Sequence, residues 1–136
     1  GISHEAMSLA GHLKLKNLIM QFDNNSISID GPTNLAVSDN YKKRFESYGW
    51  DYILINRHNY KEIRSALKKV QKAKKPTVIS CKTKIGFGSP NKSGSEKAHG
   101  SPLGESEVKL VRKKLKFSAS IKLPKEIAEG EYLEKK

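Results

Sequence analysis

Cysteine is nearly missing from this chain. Cys81 is the one thiol in 136 residues, which excludes an internal disulfide and suits a reducing, cytoplasmic setting. No apolar run approaches the length of a membrane span, and no leader with a charged start and an apolar middle opens the chain. No membrane partner is therefore expected. A starting Met is lacking too: the chain opens Gly1-Ile2-Ser3, and the expectation is a fragment of something longer. In residues 61–136, which hold most of the Lys, Arg is scarce and no aromatic residue interleaves with the basic runs. Stacking platforms for single strands and Arg forks for guanine are both lacking, so no specific nucleic-acid partner is expected.

Positive charge is what the chain has in excess. The net charge is +12, and its distribution is lopsided. Residues 1–60 carry six basic and six acidic side chains; residues 61–136 carry twenty and eight. Most of the excess is Lys on two predicted helices, such as Lys68, Lys69 and Lys72, then Lys109, Lys113 and Lys114. Solvated helix faces explain this pattern, with unspecific attraction to phosphates at low salt.

The apolar periodicity alternates between helix and strand. Residues 3–15 read as a helix with Ala6, Leu9, Ala10 and Leu13 on its inner face, and small Ala6, Ala10 and Gly11 allow a close neighbour. His4 and His12 on it read as surface or interface histidines. A strand follows over 18–22. Ser38 reads as the N-cap of a helix whose inner face is Tyr41, Phe45 and Tyr48, stopped by Gly49. Residues 50–55 form a nearly continuous apolar strand, which suits a parallel strand covered on both faces. Asn59 and Glu62 resemble a capping box, ahead of a stripe of Tyr60, Ile63, Leu67 and Val70. Residues 77–81 make a third strand. Helix and strand thus alternate three times over 3–83, which predicts an α/β fold: a parallel sheet with flanking helices, incomplete at both ends. Phe45, Trp50 and Tyr52 read as core aromatics.

Two stretches interrupt this pattern with chemistry. Asp23-Asn24-Asn25-Ser26-Ile27-Ser28-Ile29-Asp30-Gly31 follows the first strand. It is either a polar loop between strands or the oxygen-rich strand end at which an open α/β sheet takes its ligand. Oxygen ligands suit a hard cation such as Mg²⁺. The second stretch, 82–104, is rich in Gly, Ser and Lys and leaves the third strand on the same side. Loops of that length inside a domain are usually functional or disordered. Gly86 and Gly88 permit close backbone approach, but the full dinucleotide fingerprint is absent. His99 is the loop's histidine, either a general acid/base or phosphate contact or an ordinary loop residue. A last helix over 105–116 places Val108, Val111 and Leu115 inward, with Glu105 and Glu107 suiting the dipole at its start. Residues 117–136 lack a core pattern; Pro124 opens a short helix through Ala128, and the stretch reads as a linker.

Four segments together resemble transketolase. They are Gly1-Ile2-Ser3-His4-Glu5-Ala6 through Leu13, Asp23 through Thr33, Arg44-Phe45-Glu46-Ser47-Tyr48-Gly49-Trp50, and Ile85-Gly86-Phe87-Gly88-Ser89 through His99-Gly100-Ser101-Pro102-Leu103-Gly104. The resemblance implies the thiamine-diphosphate-binding fold, with residues 1–116 as part of the diphosphate-binding domain and 117–136 as a linker toward a pyrimidine-binding domain. It implies thiamine diphosphate and Mg²⁺ as cofactors, with Ca²⁺ or Mn²⁺ able to substitute. Asn25 matches a metal ligand through its side chain and Ile27 one through its carbonyl. Ile29 and Ile85 match apolar residues lying against the cofactor. His99 matches a histidine at the diphosphate and the reacting end of the substrate, in a positioning and proton-transfer role.

The implied reaction carries a two-carbon ketol unit from a ketose phosphate to an aldose phosphate, the chemistry of the pentose phosphate pathway. The implied partners are sugar phosphates and a second subunit, identical or a separate transketolase chain. The family's G-D-G segment, whose Asp is a metal ligand, is not among residues 1–136, nor is the Glu that activates the aminopyrimidine. The fragment alone is accordingly expected to be inactive. Glu96-Lys97 stands where many members carry another polar pair, often with a His. A related thiamine-diphosphate enzyme such as a dihydroxyacetone synthase is the neighbouring reading, and a non-catalytic, Lys-rich binding remnant is the reading from another class.

Overall fold

Strand β5 (Thr77–Lys82) is the middle of the sheet, although it is the last strand among the described residues. β1 (Ile19–Asp23) pairs with it on one side and β4 (Asp51–Asn56) on the other, both parallel. The computed structural model describes residues 3–56 and 58–118. Helix α1 (Ser3–His12) precedes β1, α2 (Tyr41–Ser47) precedes β4, α3 (Tyr60–Val70) joins β4 to β5, and α4 (Glu105–Leu115) closes the described part. A two-residue ribbon of β2 (Ile27–Ser28) and β3 (Gly31–Pro32) lies between β1 and α2. The expected partial parallel sheet with flanking helices is what forms. The linker and the Pro124 helix lie, from 119 onward, outside the described residues.

Alternation along β5 builds two cores. Val78 is fully buried with Ala10, Phe45 and Trp50, against Met7, Met20 and Tyr48. Ile79, one residue on, points to the opposite face and packs with Ile55, Ala66 and Val70. Helices α1 and α2 therefore cover one face and α3 the other. Each such large apolar side chain contributes about 1.5–3 kcal/mol on burial. Phe45 and Trp50 are core aromatics as expected, their rings 5.8 Å apart.

Several expectations are corrected. α1 stops at His12, because Lys14 turns left-handed at φ 51° and Leu15 N–H returns to the Ala10 carbonyl at 3.2 Å. Its inner face is Met7, Ala10 and Gly11, whereas Leu9 and Leu13 stay over half exposed. α2 is capped by Asn40, whose Oδ1 accepts from Lys43 N–H at 3.0 Å, and not by Ser38. β4 has a helix on each face as expected, Tyr52 packing toward the Phe45 core and Ile53 and Ile55 toward the Val70 core, but it is an edge of the described sheet and Leu54 is 59% exposed. In α3, Ala66 and Val70 form the buried stripe and Tyr60 is exposed. The Asn59 cap holds: its Oδ1 accepts from Lys61 and Glu62 N–H, and its Nδ2 donates to Glu62.

Candidate functional site

The β1–β5 register sets Asp23 beside Cys81, and Asn24 N–H donates to the Cys81 carbonyl at 2.9 Å. The carboxyl ends of β1 and β5 therefore lie side by side, so the polar turn and the Gly-rich loop leave the sheet together, as the parallel reading required. Asp23 joins them. Its Oδ1 accepts from the Thr83 hydroxyl and its Oδ2 from Asn25 Nδ2, the latter at 3.3 Å. Asn25 Oδ1 accepts from Ile27 N–H at 3.0 Å, an Asx turn. Ser26 takes φ 62° within it, and its carbonyl accepts from Thr33 N–H.

This turn presents oxygen. Asn25 Oδ1 has a second lone pair beyond the one given to Ile27 N–H. Thr33 N–H bonds the Ser26 carbonyl, so the next pair, Ile27 with Pro32, is a non-hydrogen-bonded one, and the Ile27 carbonyl points away from β3. Amide and carbonyl oxygens next to a carboxylate fit a hard cation. Among the described residues no group of three or more His, Cys, Asp or Glu stands ready for a metal. The donor set here thus fits part of a Mg²⁺ shell.

A cleft of about 530 Å³ opens at the strand ends, lined by Asp23, His58, Thr83, Lys84 and Ile85 among others. It takes in Ile85 but not Asn25, Ile27, Ile29 or His99. Ile29 is 72% exposed on the ribbon. His99 is exposed at the end of a single 3-10 turn, Glu96–Ala98, with its N–H on the Glu96 carbonyl at 2.8 Å. The His58 ring stacks on Phe87 with centroids 3.8 Å apart, a contact that no local sequence pattern signals. Burial pushes the Cys81 thiol up, and the neighbouring Asp23 charge adds to it.

The long loop is ordered by α4. Glu107 is 5% exposed. Its Oε1 accepts from the Ser89 hydroxyl and from Asn91 N–H at 2.9 Å, and its Oε2 from Asn91 Nδ2 at 2.8 Å. The Ser89 bond foremost, then those from Asn91, hold its carboxyl down at about 2 against the opposing effect of burial. The expected inward face of α4 is thereby corrected: Val108 is exposed and Glu107 buried. A glutamate in a first helical turn reads as a dipole partner, and nothing local reveals that it faces inward. Gly88, at φ +93°, has a packing reason: a Cβ there would stand 2.8 Å from Leu115 Cδ1.

A family model described as transketolase, thiamine diphosphate binding domain, matches residues 1–135. The chain belongs to the transketolase family. It is 53% identical over 112 residues to the transketolase of Staphylococcus aureus strain MRSA252, covering 82% of this chain and 17% of that protein. It is 47% identical to the Buchnera aphidicola transketolase, covering all of this chain and 22% of the relative. The Campylobacter jejuni transketolase crystal structure superposes with a TM-score of 0.87 at 44% identity, over 92% of this chain and 20% of that one. A Pichia stipitis transketolase, solved in complex with sedoheptulose-7-phosphate, gives 0.87 at 38% identity over 96% and 20%. The chain therefore spans about a fifth of the length of these relatives.

Two of the four family segments pack against each other. Trp50 Nε1 donates to the Met7 carbonyl at 2.8 Å, and His4 Nδ1 and the Tyr48 hydroxyl are hydrogen-bonded at 2.9 Å. Gly11 sits under the Tyr48 carbonyl so closely that a Cβ would come to 1.6 Å from its oxygen. The other two segments, 23–33 and 85–104, are those at the strand ends.

Proposed function

We propose that this chain is the diphosphate- and metal-binding part of a thiamine-diphosphate-dependent transketolase. The intact protein transfers a two-carbon ketol unit from a ketose phosphate to an aldose phosphate. The observation that carries the reading is the Asp23–Asn25–Ile27 turn, presenting amide and carbonyl oxygens at a strand end within a chain of this family. Asn25 Oδ1 and the Ile27 carbonyl would hold Mg²⁺, with Asp23 fixing the Asn25 amide. Ile29 and Ile85 would lie against the cofactor and exclude water. His99 would bind phosphate or substrate oxygen and take or return a proton at an imidazole nitrogen. Thiamine diphosphate, when bound, supplies the nucleophilic carbon and the electron sink. Sugar phosphates are the substrates, a second subunit completes the site, and the setting is cytoplasmic.

The test is an assay of the intact protein with sedoheptulose-7-phosphate as donor and a short aldose phosphate as acceptor. Transfer should require both thiamine diphosphate and Mg²⁺. Transfer that survives removal of either, or no transfer with both present, overturns the reading. The range of acceptors separates transketolase from a dihydroxyacetone synthase.

A further inference from the structure

His99 rides on an arc of chain whose two feet are fastened. Lys92 Nζ donates to the Leu103 carbonyl at 2.9 Å, closing the arc over 92–103 at its base. Just ahead of that closure, Ser89 and Asn91 are gripped by the Glu107 carboxylate from the first turn of α4. Ser89 passes the grip on: its Oγ accepts from Lys92 N–H at 3.0 Å. Inside the arc, the Ser95 hydroxyl donates to the Lys92 carbonyl at 2.9 Å. A chain of hydrogen bonds thus runs from Glu107 through Ser89 and Lys92 to the 3-10 turn before His99.

A buried carboxylate is costly unless its lone pairs are used. Glu107 has three donors on its two oxygens and sits in the favourable field of a helix start. Among the described residues its side-chain hydrogen bonds go to the loop and not to the Asp23–Ile29 turn. Leu115, two turns on, packs against Gly88, so α4 holds the loop's first part at both ends.

We propose that Glu107 is a positioning residue for His99, acting through Ser89 and Lys92 rather than on substrate. The proposal rests on the transketolase reading for what His99 does, and on this geometry alone for what Glu107 does. Small displacements of a reacting group are expensive: about 1 Å of misplacement can slow a reaction by about a hundredfold.

Two measurements on the intact protein test it, kinetics and amide hydrogen exchange, using Glu107→Ala, Glu107→Gln, His99→Ala and the double substitution. Glu107→Ala is expected to raise exchange over 89–103 by about tenfold or more while 77–82 keeps its protection. It should lower kcat by about tenfold or more with KM changed by less than about threefold. Glu107→Gln still accepts from Ser89 and from Asn91 N–H, and should recover most of the loss. On a His99→Ala background, Glu107→Ala should cost less than about twofold further, because both act through one residue. Full multiplicative loss in the double substitution, or exchange over 89–103 unchanged in Glu107→Ala, overturns the proposal. A wild-type protein that transfers no ketol unit defeats the functional reading alone, and the exchange comparison then decides the role of Glu107. Should Glu107→Ala not fold, Asn91→Ala, which removes one donor to the carboxylate, takes its place with the same expected loosening of 92–103.

Discussion

Thr83 donates its hydroxyl hydrogen to Asp23 across the carboxyl ends of β5 and β1. The other Asp23 oxygen holds the Asn25 amide, so one carboxylate ties the central strand to the oxygen-bearing turn. Thr83→Val keeps the shape and deletes the donor. It should lower stability by about 1 kcal/mol, read from the urea midpoint, and weaken Mg²⁺ binding by a few fold. An unchanged midpoint together with unchanged Mg²⁺ affinity would show that the bond holds nothing.

In the proposed metal site, Asn25 would act through its side chain and Ile27 through its main chain. Asn25→Ala removes the amide oxygen that accepts from Ile27 N–H and that would bind the metal, and should weaken Mg²⁺ and thiamine diphosphate together by about tenfold or more, about 1.4 kcal/mol. Ile27→Val leaves the carbonyl in place and should change either affinity little. Titration of both ligands into the intact variants decides; equal losses in the two would refute the division.

Gly11→Ala drives a methyl into the Tyr48 carbonyl, an unyielding backbone atom. α1 must lift from α2, at a cost of about 3 kcal/mol. Gly100→Ala is the control: a Cβ there meets nothing within 4 Å, and only its φ of +65° opposes it, for about 1 kcal/mol. Thermal midpoints should fall in that order.

Ser80 is fully buried in the middle of β5, and its hydroxyl finds no partner among the described residues. Ser80→Ala removes an unsatisfied polar group and should stabilise by about 1 kcal/mol. A destabilised Ser80→Ala protein would mean that the hydroxyl has a partner.

The Glu107 carboxyl titrates at about 2 in the fold against 4.5 without it. Its folded value is lowered, so its contribution is whole above pH 4.5 and drains away as the pH falls from there toward 2. Unfolding curves taken between pH 2 and 5 should lose stability more steeply in the wild type than in Glu107→Gln, which carries no charge to titrate. Parallel curves would remove Glu107 from the acid response.

The alternation of helix and strand was legible because apolar periodicity is a local property. Phe45, Trp50, Val78 and Ile79 all announce themselves that way. Strand order is not local: the continuous run 52–55 reads correctly as a doubly covered strand, but nothing in it says that β5 lies between β1 and β4 and leaves β4 at the edge of the described sheet. Ser38 and Asn40 are both competent caps, and the hydrogen bond to Lys43 N–H decides between them. Leu9 and Leu13 look more like core than Gly11 does, yet Gly11 is the residue the packing cannot spare. At the site, Asp23, Asn25 and Ile27 were legible as an oxygen-rich turn. Thr83 and Glu107 were not, since each gains its meaning from a partner outside its own turn.

The central place of β5 has a consequence for how the protein is made. Among the described residues β1 and β4 do not pair with each other, and each pairs with β5, a strand that leaves the ribosome after both of them. During synthesis the pairing of β1 and of β4 with β5 forms only once residues 77–82 emerge. The nascent chain is then most exposed to mispairing and to chaperone capture just before that point.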